Sequence, residues 1–329
     1  MPDLAPFPFI VGAERSGTTL LRVMLDQHPD LAIPPESYFP VSMRPRRVAG
    51  DKDPFDGERF TNNLLVHPWF QKWKLDASAV LSAMERPGHI DYPEAIRRVY
   101  GAYAESRGKR DYGDKTPSFV LHIDLLSAMF PESLFVHIIR DGRDVVASIL
   151  ERRWGSGHLT TGAATWAGRV DRGRACGLKL GADRYREVMY ESLVSEPRRI
   201  LEEICDFLGI AMVPEMLNYY EHFDELVPQA EREQFRHLSR PPTAGLRDWR
   251  RDMRPSDVAT IEAVAGRTLS ELGYERAFSD PPTGARIRAA AGAQLMRARR
   301  TKRRIKKVLR RAIPQRKRGN ASKRITREA

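Results

Sequence analysis

Short apolar runs alternate with stretches of helical spacing along most of the chain. Phe7-Pro8-Phe9-Ile10-Val11 predicts a buried strand ending at Gly12, and a helix follows from about Thr18, with Leu21, Met24 and Leu25 on one face. That helix should stop before Pro29, with Leu31-Ala32-Ile33 as a second short strand. From about Pro40 to Tyr92 no clean period survives, and the mixture of Pro, Arg and aromatic residues predicts an insertion of short helices. Helical spacing returns from Pro93 to Arg107, then a strand-like Asp111-Tyr112-Gly113, then a helix in which Leu121, Leu125 and Met129 repeat. Leu134-Phe135-Val136-His137-Ile138-Ile139 is the clearest strand, and an unbroken apolar run suits a parallel strand covered on both faces. A helix through Val145, Ile149 and Leu150 follows it, then a strand over Tyr185 to Tyr190 and a helix from Ser195-Glu196-Pro197 bearing Leu201, Ile204, Cys205 and Leu208. A late helix from Pro255 should end at Gly273, which suits a left-handed cap. Strands alternating with helices predict an α/β fold with a mostly parallel sheet and helices on both faces.

Composition changes this picture only at the C-terminal end. Hydrophobic residues make up 41% and charged residues 30% of the 329 residues, as expected of a globular chain. The formal net charge is +12, but residues 286–329 hold eighteen Lys and Arg against the single acid Glu328. The tail therefore carries +17 and residues 1–285 carry −5. The expected organisation is a catalytic unit over residues 1–285, with the insertion at about 40–92, and a basic tail over 286–329, helical or disordered. No apolar run is long enough to cross a bilayer, and the first residues lack the pattern of a signal peptide. Cys176 and Cys205 are the only cysteines, and Cys205 reads as a buried free thiol, so a cytoplasmic location is the expectation.

The chemistry concentrates at two turns. Gly12-Ala13-Glu14-Arg15-Ser16-Gly17-Thr18-Thr19 lies between the first strand and the first helix. There, inward-facing N–H groups and a helix N-terminus attract phosphate. The spacing matches Gly-x-x-x-x-Gly-Lys-Ser/Thr except that Thr18 replaces the lysine, and an ordinary glycine turn is the plain alternative. The second turn is Arg140-Asp141-Gly142-Arg143, at the end of the clearest strand. Arg140 offers a planar fork suited to phosphate, Ser148 lies two helical turns on, and Arg152 one turn beyond that.

Arg15 to Leu20 followed by Met24-Leu25-Asp26-Gln27-His28-Pro29 resembles the 5′-phosphosulfate loop of sulfotransferases, closest to the tyrosylprotein-type branch and its bacterial relatives. Phe135 to Ser148 resembles that family's 3′-phosphate element, and the likeness spans about residues 7 to 278. It implies a P-loop-like fold and transfer of a sulfuryl group from 3′-phosphoadenosine 5′-phosphosulfate (PAPS) to a hydroxyl acceptor, with no metal. It also implies donor contacts from Arg15, Ser16, Gly17, Thr18, Thr19, Arg140, Ser148 and Tyr190, to which helix-face spacing adds Arg152. Glu36 falls where the family places its general base, and Lys115 in Gly113-Asp114-Lys115-Thr116-Pro117 matches the lysine at the leaving group. Gly245 to Arg250 resembles a late loop that closes over the donor, and the alignment there assigns no residue.

The departures matter for the acceptor. Tyr38 stands where that branch reads acidic peptides with an arginine. Tyr38, Phe39, Phe55, Phe60, Trp69 and Trp73 suit either an acceptor pocket or the core of the insertion. A P-loop kinase or nucleotide-binding protein is the first rival, but it needs a lysine at position 18 and an acidic strand end for Mg²⁺. An adaptor acting through the tail is the second. Ile305, Val308, Leu309, Ala312 and Ile313 recur at helical spacing among basic residues, which predicts a helix over 302–313 that lies on an anionic membrane. Nucleic acid is the weaker partner, since that stretch has no aromatic residue to stack on bases.

Overall fold

The computed structural model describes residues 5–45, 55–151, 159–227, 229, 232–243, 245 and 247–312, without side chains at 299, 300 and 303–312. Six strands are present among them: β1 (Phe7–Gly12), β2 (Leu31–Ala32), β3 (Asp111–Tyr112), β4 (Asp114–Lys115), β5 (Ser133–Ile139) and β6 (Tyr185–Met189). Four form one sheet in the order β4-β1-β5-β6, all parallel, and β2 pairs with β3 in a separate parallel pair. The helices that position the site are α1 (Thr18–Leu25), α2 (Tyr92–Ser106), α3 (Gly142–Leu150), α4 (Leu159–Leu180), α5 (Pro197–Leu208), α6 (Pro255–Glu271) and α7 (Thr283–Ala312).

Alternation along β1 distributes its side chains to two cores. Phe7, Phe9 and Val11 join Phe135 of β5 and the α2 residues Ile96, Val99 and Tyr100 on one face. Ile10, Val136 and Ile138 meet Leu21 and Met24 of α1 and Leu201 and Ile204 of α5 on the other. Each central strand is therefore buried on both sides, which is why its sequence is a continuous apolar run. Both cysteines are free and buried in these cores. A third cluster joins Ile139, Val145 and Val146 to Trp166 of α4 and Ile261 and Leu269 of α6.

The pattern misled in two places. Residues 117–121 form a 3₁₀ turn before the helix Ile123–Met129, and this change of pitch shifts the buried face. Phe119, Val120, Ile123 and Leu126 are buried, while Leu121 is 41% exposed. The 22-residue α4 has no counterpart in the sequence reading, because Gly162, Gly173 and Gly177 share its inward face with Trp166, Val170 and Cys176 and break the apolar period. A Cβ at Gly173 would lie 2.6 Å from His137 of β5, so the absent side chain is what lets α4 seat against the sheet.

The 40–92 insertion holds the short helices Phe39–Ser42, Gly57–Leu65, Pro68–Gln71 and Ala77–Met84. The late helix ends as expected, with Gly273 left-handed at φ 79°. The tail helix is longer than expected. It begins at Thr283, docks Ala285 and Gly292 inward and runs to Ala312, while Ile313 lies outside the described residues. None of the described helices is long and apolar enough to cross a membrane.

Candidate functional site

The site gathers at the C-terminal ends of the parallel strands, where helix N-termini point inward. Gly17 precedes α1 at φ 97°, a conformation that glycine adopts without strain, and a Cβ there would lie 2.4 Å from the Tyr190 ring. Tyr190, the first residue after β6, thus packs directly on the loop, and the Arg140 guanidinium lies 4.4 Å from its ring centroid. Arg15 reaches across to donate from Nε to Ser148 Oγ at 3.0 Å. Arg15, Gly17, Thr18, Thr19, Arg140 and Tyr190 line one cleft, joined by Phe235 and His237. Ser16 Oγ and Arg140 Nε are buried without a hydrogen-bond partner among the described residues. Of the donor-side residues named from the sequence, Arg15, Ser16, Gly17, Thr18, Thr19, Arg140, Ser148 and Tyr190 belong to this loop-and-cleft assembly, and Arg152 lies outside the described residues.

Arg140 is held from behind. Its carbonyl accepts from Trp166 Nε1 at 3.0 Å, and Asp144 lies 3.7 Å from its guanidinium. Burial pushes the Asp144 carboxyl up to about 6 against the opposing pull of Arg140. Trp249 closes the back, donating its backbone N–H to Asp144 at 2.8 Å and its indole N–H to Asp141 at 3.1 Å. Arg143, 1% exposed, lies under the Trp249 ring at 3.7 Å and bridges Asp141 to Glu262 of α6. Arg247 pairs with Glu151, just past the end of α3. The late segment therefore does reach this region, through Arg247 and Trp249.

Glu36 and Lys115 meet beside the loop. Lys115 is in register with Ile10 of β1, and its Nζ donates to Glu36 Oε1 at 3.0 Å. Burial pushes the Glu36 carboxyl up, but the charge and hydrogen bond of Lys115, a hydrogen bond from Tyr38 and the charge of Lys72 together hold it below the ordinary glutamate value. Tyr38 takes a left-handed backbone at φ 54°, and its ring lies 4.3 Å from that of Trp69, over which Lys72 Nζ sits at 4.0 Å. The aromatic residues weighed from the sequence thus separate. Phe39, Phe60 and Trp73 are core, Phe55 packs on that core, and Tyr38 and Trp69 are half-buried beside the carboxylate.

Sequence reasoning missed the support of this pair. Ser37 Oγ donates to Asp114 Oδ2 at 2.7 Å, and Tyr100 OH donates to the same oxygen at 2.6 Å. Ser37 N donates to Thr116 Oγ1 at 3.1 Å, and Trp73 Nε1 fixes the Pro35 carbonyl at 2.9 Å. The proximity of Asp114 to Lys115 was the only available signal. Phe235 and His237 had none, since they fall in a weakly periodic stretch far along the chain. Among the described residues, no group of three His, Cys, Asp or Glu side chains converges to hold a metal ion.

Known proteins share this architecture. The chain is 25% identical over 317 residues to nodulation protein NoeE of Sinorhizobium fredii, covering 84% of this chain and 68% of that one. It is 27% identical over 290 residues to protein-tyrosine sulfotransferase 2 of Gallus gallus, covering 84% and 71%. Among solved structures, the sulfotransferase domain of the Synechococcus olefin synthase superposes with a TM-score of 0.57 at 25% identity, over 83% of this chain and 98% of that one. The sulfotransferase domain from the curacin biosynthetic pathway shares the fold, with a TM-score of 0.54 at 21% identity, over 83% and 99%. The model of the sulfotransferase family matches residues 6–215, the span that holds the phosphate loop, the Glu36–Lys115 pair and Arg140, and the chain belongs to that family.

Proposed function

We propose that this protein transfers a sulfuryl group from PAPS to a hydroxyl acceptor, releasing 3′,5′-ADP. The observation that carries the reading is the 3.0 Å contact between Glu36, in the loop after β2, and Lys115, on the strand beside β1. The residues present fit the donor. A glycine-curled loop at a helix N-terminus suits a 5′-phosphate, and the unpartnered Ser16 Oγ and Arg140 Nε supply waiting hydrogen-bond donors. Arg140 and Ser148 would hold the 3′-phosphate, with Tyr190 bracing Arg140, and Arg152 remains a candidate for the same role.

When bound, the donor supplies a sulfuryl group already activated by its anhydride bond to phosphate. The Glu36 carboxylate takes the acceptor hydroxyl proton as the acceptor oxygen bonds to sulfur. As the sulfur–oxygen bond to the 5′-phosphate breaks, the Lys115 ammonium leaves Glu36 for the oxygen that gains charge, and so it favours the transition state over the ground state. This chemistry asks for no metal. The half-buried Tyr38 and Trp69 are the side chains beside Glu36 that an acceptor would meet.

The test is incubation of host extract with the enzyme and sulfur-labelled PAPS, followed by identification of the labelled product. A kinase or other nucleotide-binding protein is separated by a thermal shift. Here 3′,5′-ADP should raise Tm and ATP-Mg²⁺ should not.

The tail supports a contact with anionic membrane. The α7 helix continues through Lys302 to Ala312, where Ile305, Val308, Leu309 and Ala312 recur at i, i+3, i+4 and i+7 between basic residues. A lipid-linked alcohol is the acceptor class such a contact would favour. Full-length chain should co-sediment with anionic vesicles and a chain ending at Thr283 should not. Equal sedimentation of the two removes the membrane role.

A further inference from the structure

Buried beneath the Glu36–Lys115 pair lies an acid that the proposed chemistry does not use. Asp114 is 0% exposed, and its Oδ2 accepts from Ser37 Oγ at 2.7 Å, Tyr100 OH at 2.6 Å and Thr116 Oγ1 at 3.3 Å. Ser37, Tyr100 and Thr116 are each 0% exposed as well. Burial at this depth pushes the Asp114 carboxyl up to about 6, against those three hydrogen bonds and the charge of Lys115. An aliphatic residue would fill the place without that cost, and a core with no other demand on it favours one.

The connectivity shows what the acid does. Ser37 follows Glu36, and Lys115 lies between Asp114 and Thr116. Asp114 binds the Ser37 side chain while Thr116 accepts from the Ser37 backbone, so two links tie the segment bearing Glu36 to the strand bearing Lys115. β2 pairs with β3 just ahead of β4, and Gly113 N donates to the Ala32 carbonyl at 2.9 Å, but that ladder ends at Ala32, and Glu36 stands four residues beyond it in a loop. Tyr100 secures the same oxygen from α2, anchoring the junction to the core.

We infer that Asp114 is a positioning residue, which holds the base-bearing loop at hydrogen-bond distance from Lys115 through Ser37, Thr116 and Tyr100. This rests on the proposed roles of Glu36 and Lys115. A displacement of about 1 Å at a reacting centre costs on the order of 10²-fold in rate, so such a junction has a kinetic signature.

The experiment compares Asp114→Ala, Asp114→Asn, Ser37→Ala and Tyr100→Phe with wild type by kcat, KM for PAPS and Kd for 3′,5′-ADP. Asp114→Ala removes the shared acceptor, so kcat should fall at least tenfold, while KM for PAPS and Kd for 3′,5′-ADP stay within twofold. Asp114→Asn keeps an oxygen to which the three hydroxyls can donate, and it should recover most of that rate. Ser37→Ala should lower kcat in the same direction, and adding it to Asp114→Ala should cost little more, because both break one link. A kcat within twofold of wild type in Asp114→Ala overturns the inference, as does a kcat loss matched by a loss of donor affinity. If Asp114→Ala does not fold, the same criteria apply to Ser37→Ala and Tyr100→Phe. Glu36→Gln runs in parallel. Full activity in Glu36→Gln sinks the base assignment, and no transfer by wild type sinks the proposed function. In either case a crystal structure of Asp114→Ala, or of Ser37→Ala, decides the positioning. A Glu36–Lys115 separation beyond hydrogen-bond reach supports it, and a retained 3.0 Å contact overturns it.

Discussion

Arg15 and Ser148, 133 residues apart in sequence, are joined by a 3.0 Å hydrogen bond from Nε to Oγ. The bond links the loop after β1 to the helix after β5, so the two turns proposed to bind phosphate are joined directly. If Ser148 and Arg140 select for the 3′-phosphate, Arg140→Ala should weaken 3′,5′-ADP binding by about 2 kcal/mol or more, the scale of a charge-assisted hydrogen bond. Binding of 5′-AMP should barely change. Calorimetry with both nucleotides checks this, and equal losses would remove the assignment.

Glu36→Gln keeps the shape of the side chain and loses the basic oxygen. It should lower kcat by about 10² or more, the usual range for a general base, while Kd for 3′,5′-ADP holds. Saturating EDTA should leave the wild-type rate intact. Wild-type turnover in Glu36→Gln would give the base to another residue or to water.

The acids near the site should pull stability in opposite directions with pH. Glu36 is held below the ordinary glutamate value, so its pairing with Lys115 contributes above the unfolded pKa and is lost as pH falls through the lower folded one. Asp114 runs the other way. Its folded carboxyl, pushed up to about 6, keeps a proton that the unfolded chain has released, so stability falls as pH rises from the ordinary aspartate value of 3.8 through 6. Melts from pH 4.5 to 7.5 should show wild type losing Tm relative to Asp114→Asn as pH rises. A constant gap would mean that Asp114 titrates as an ordinary carboxylic acid.

Gly17→Ala meets two obstacles at once, a φ of 97° and a Tyr190 ring carbon 2.4 Å from the new methyl. Strain on the order of 1–3 kcal/mol should appear as a lower Tm, with 3′,5′-ADP affinity reduced at least tenfold as the loop or Tyr190 shifts. Tm and affinity both at wild-type level would show that the loop has slack.

The assembly of the glycine loop with Arg140 was legible because each of its parts is a local signal. Gly17 lies between a strand and a helix, and Arg140 follows the clearest strand, so a short window contains the evidence. The junction of Ser37, Tyr100, Asp114 and Thr116 was not legible, because its polarity is satisfied between segments distant in sequence. Any one of these residues alone reads as a solvated loop or a helix tyrosine. The α4 helix was hidden for a different reason. Its packing depends on what Gly173 and Gly177 leave out, and pattern reading weighs only what is present. Leu121, Leu125 and Met129 had the right spacing for one helix, but the 3₁₀ turn rotated the chain before that helix began.

The anchoring of the insertion has a consequence for how such a molecule can diversify. Trp73 holds Pro35 from one side of Glu36, and Tyr38 meets Trp69 on the other, so the wall beside the base is drawn from residues 69–73. The turns proposed to bind phosphate follow β1 and β5, with Tyr190 after β6 beside them and Trp166 and Trp249 behind Arg140 and Asp141. The two halves meet the site from separate stretches of chain but share one core, since Phe39, Phe70 and Trp73 of the insertion pack in the same cluster as Phe7, Phe9 and Phe135 of the sheet. On the proposed function, a change of acceptor is then accommodated at the half-buried Tyr38 and Trp69, where substitution leaves that shared core in place.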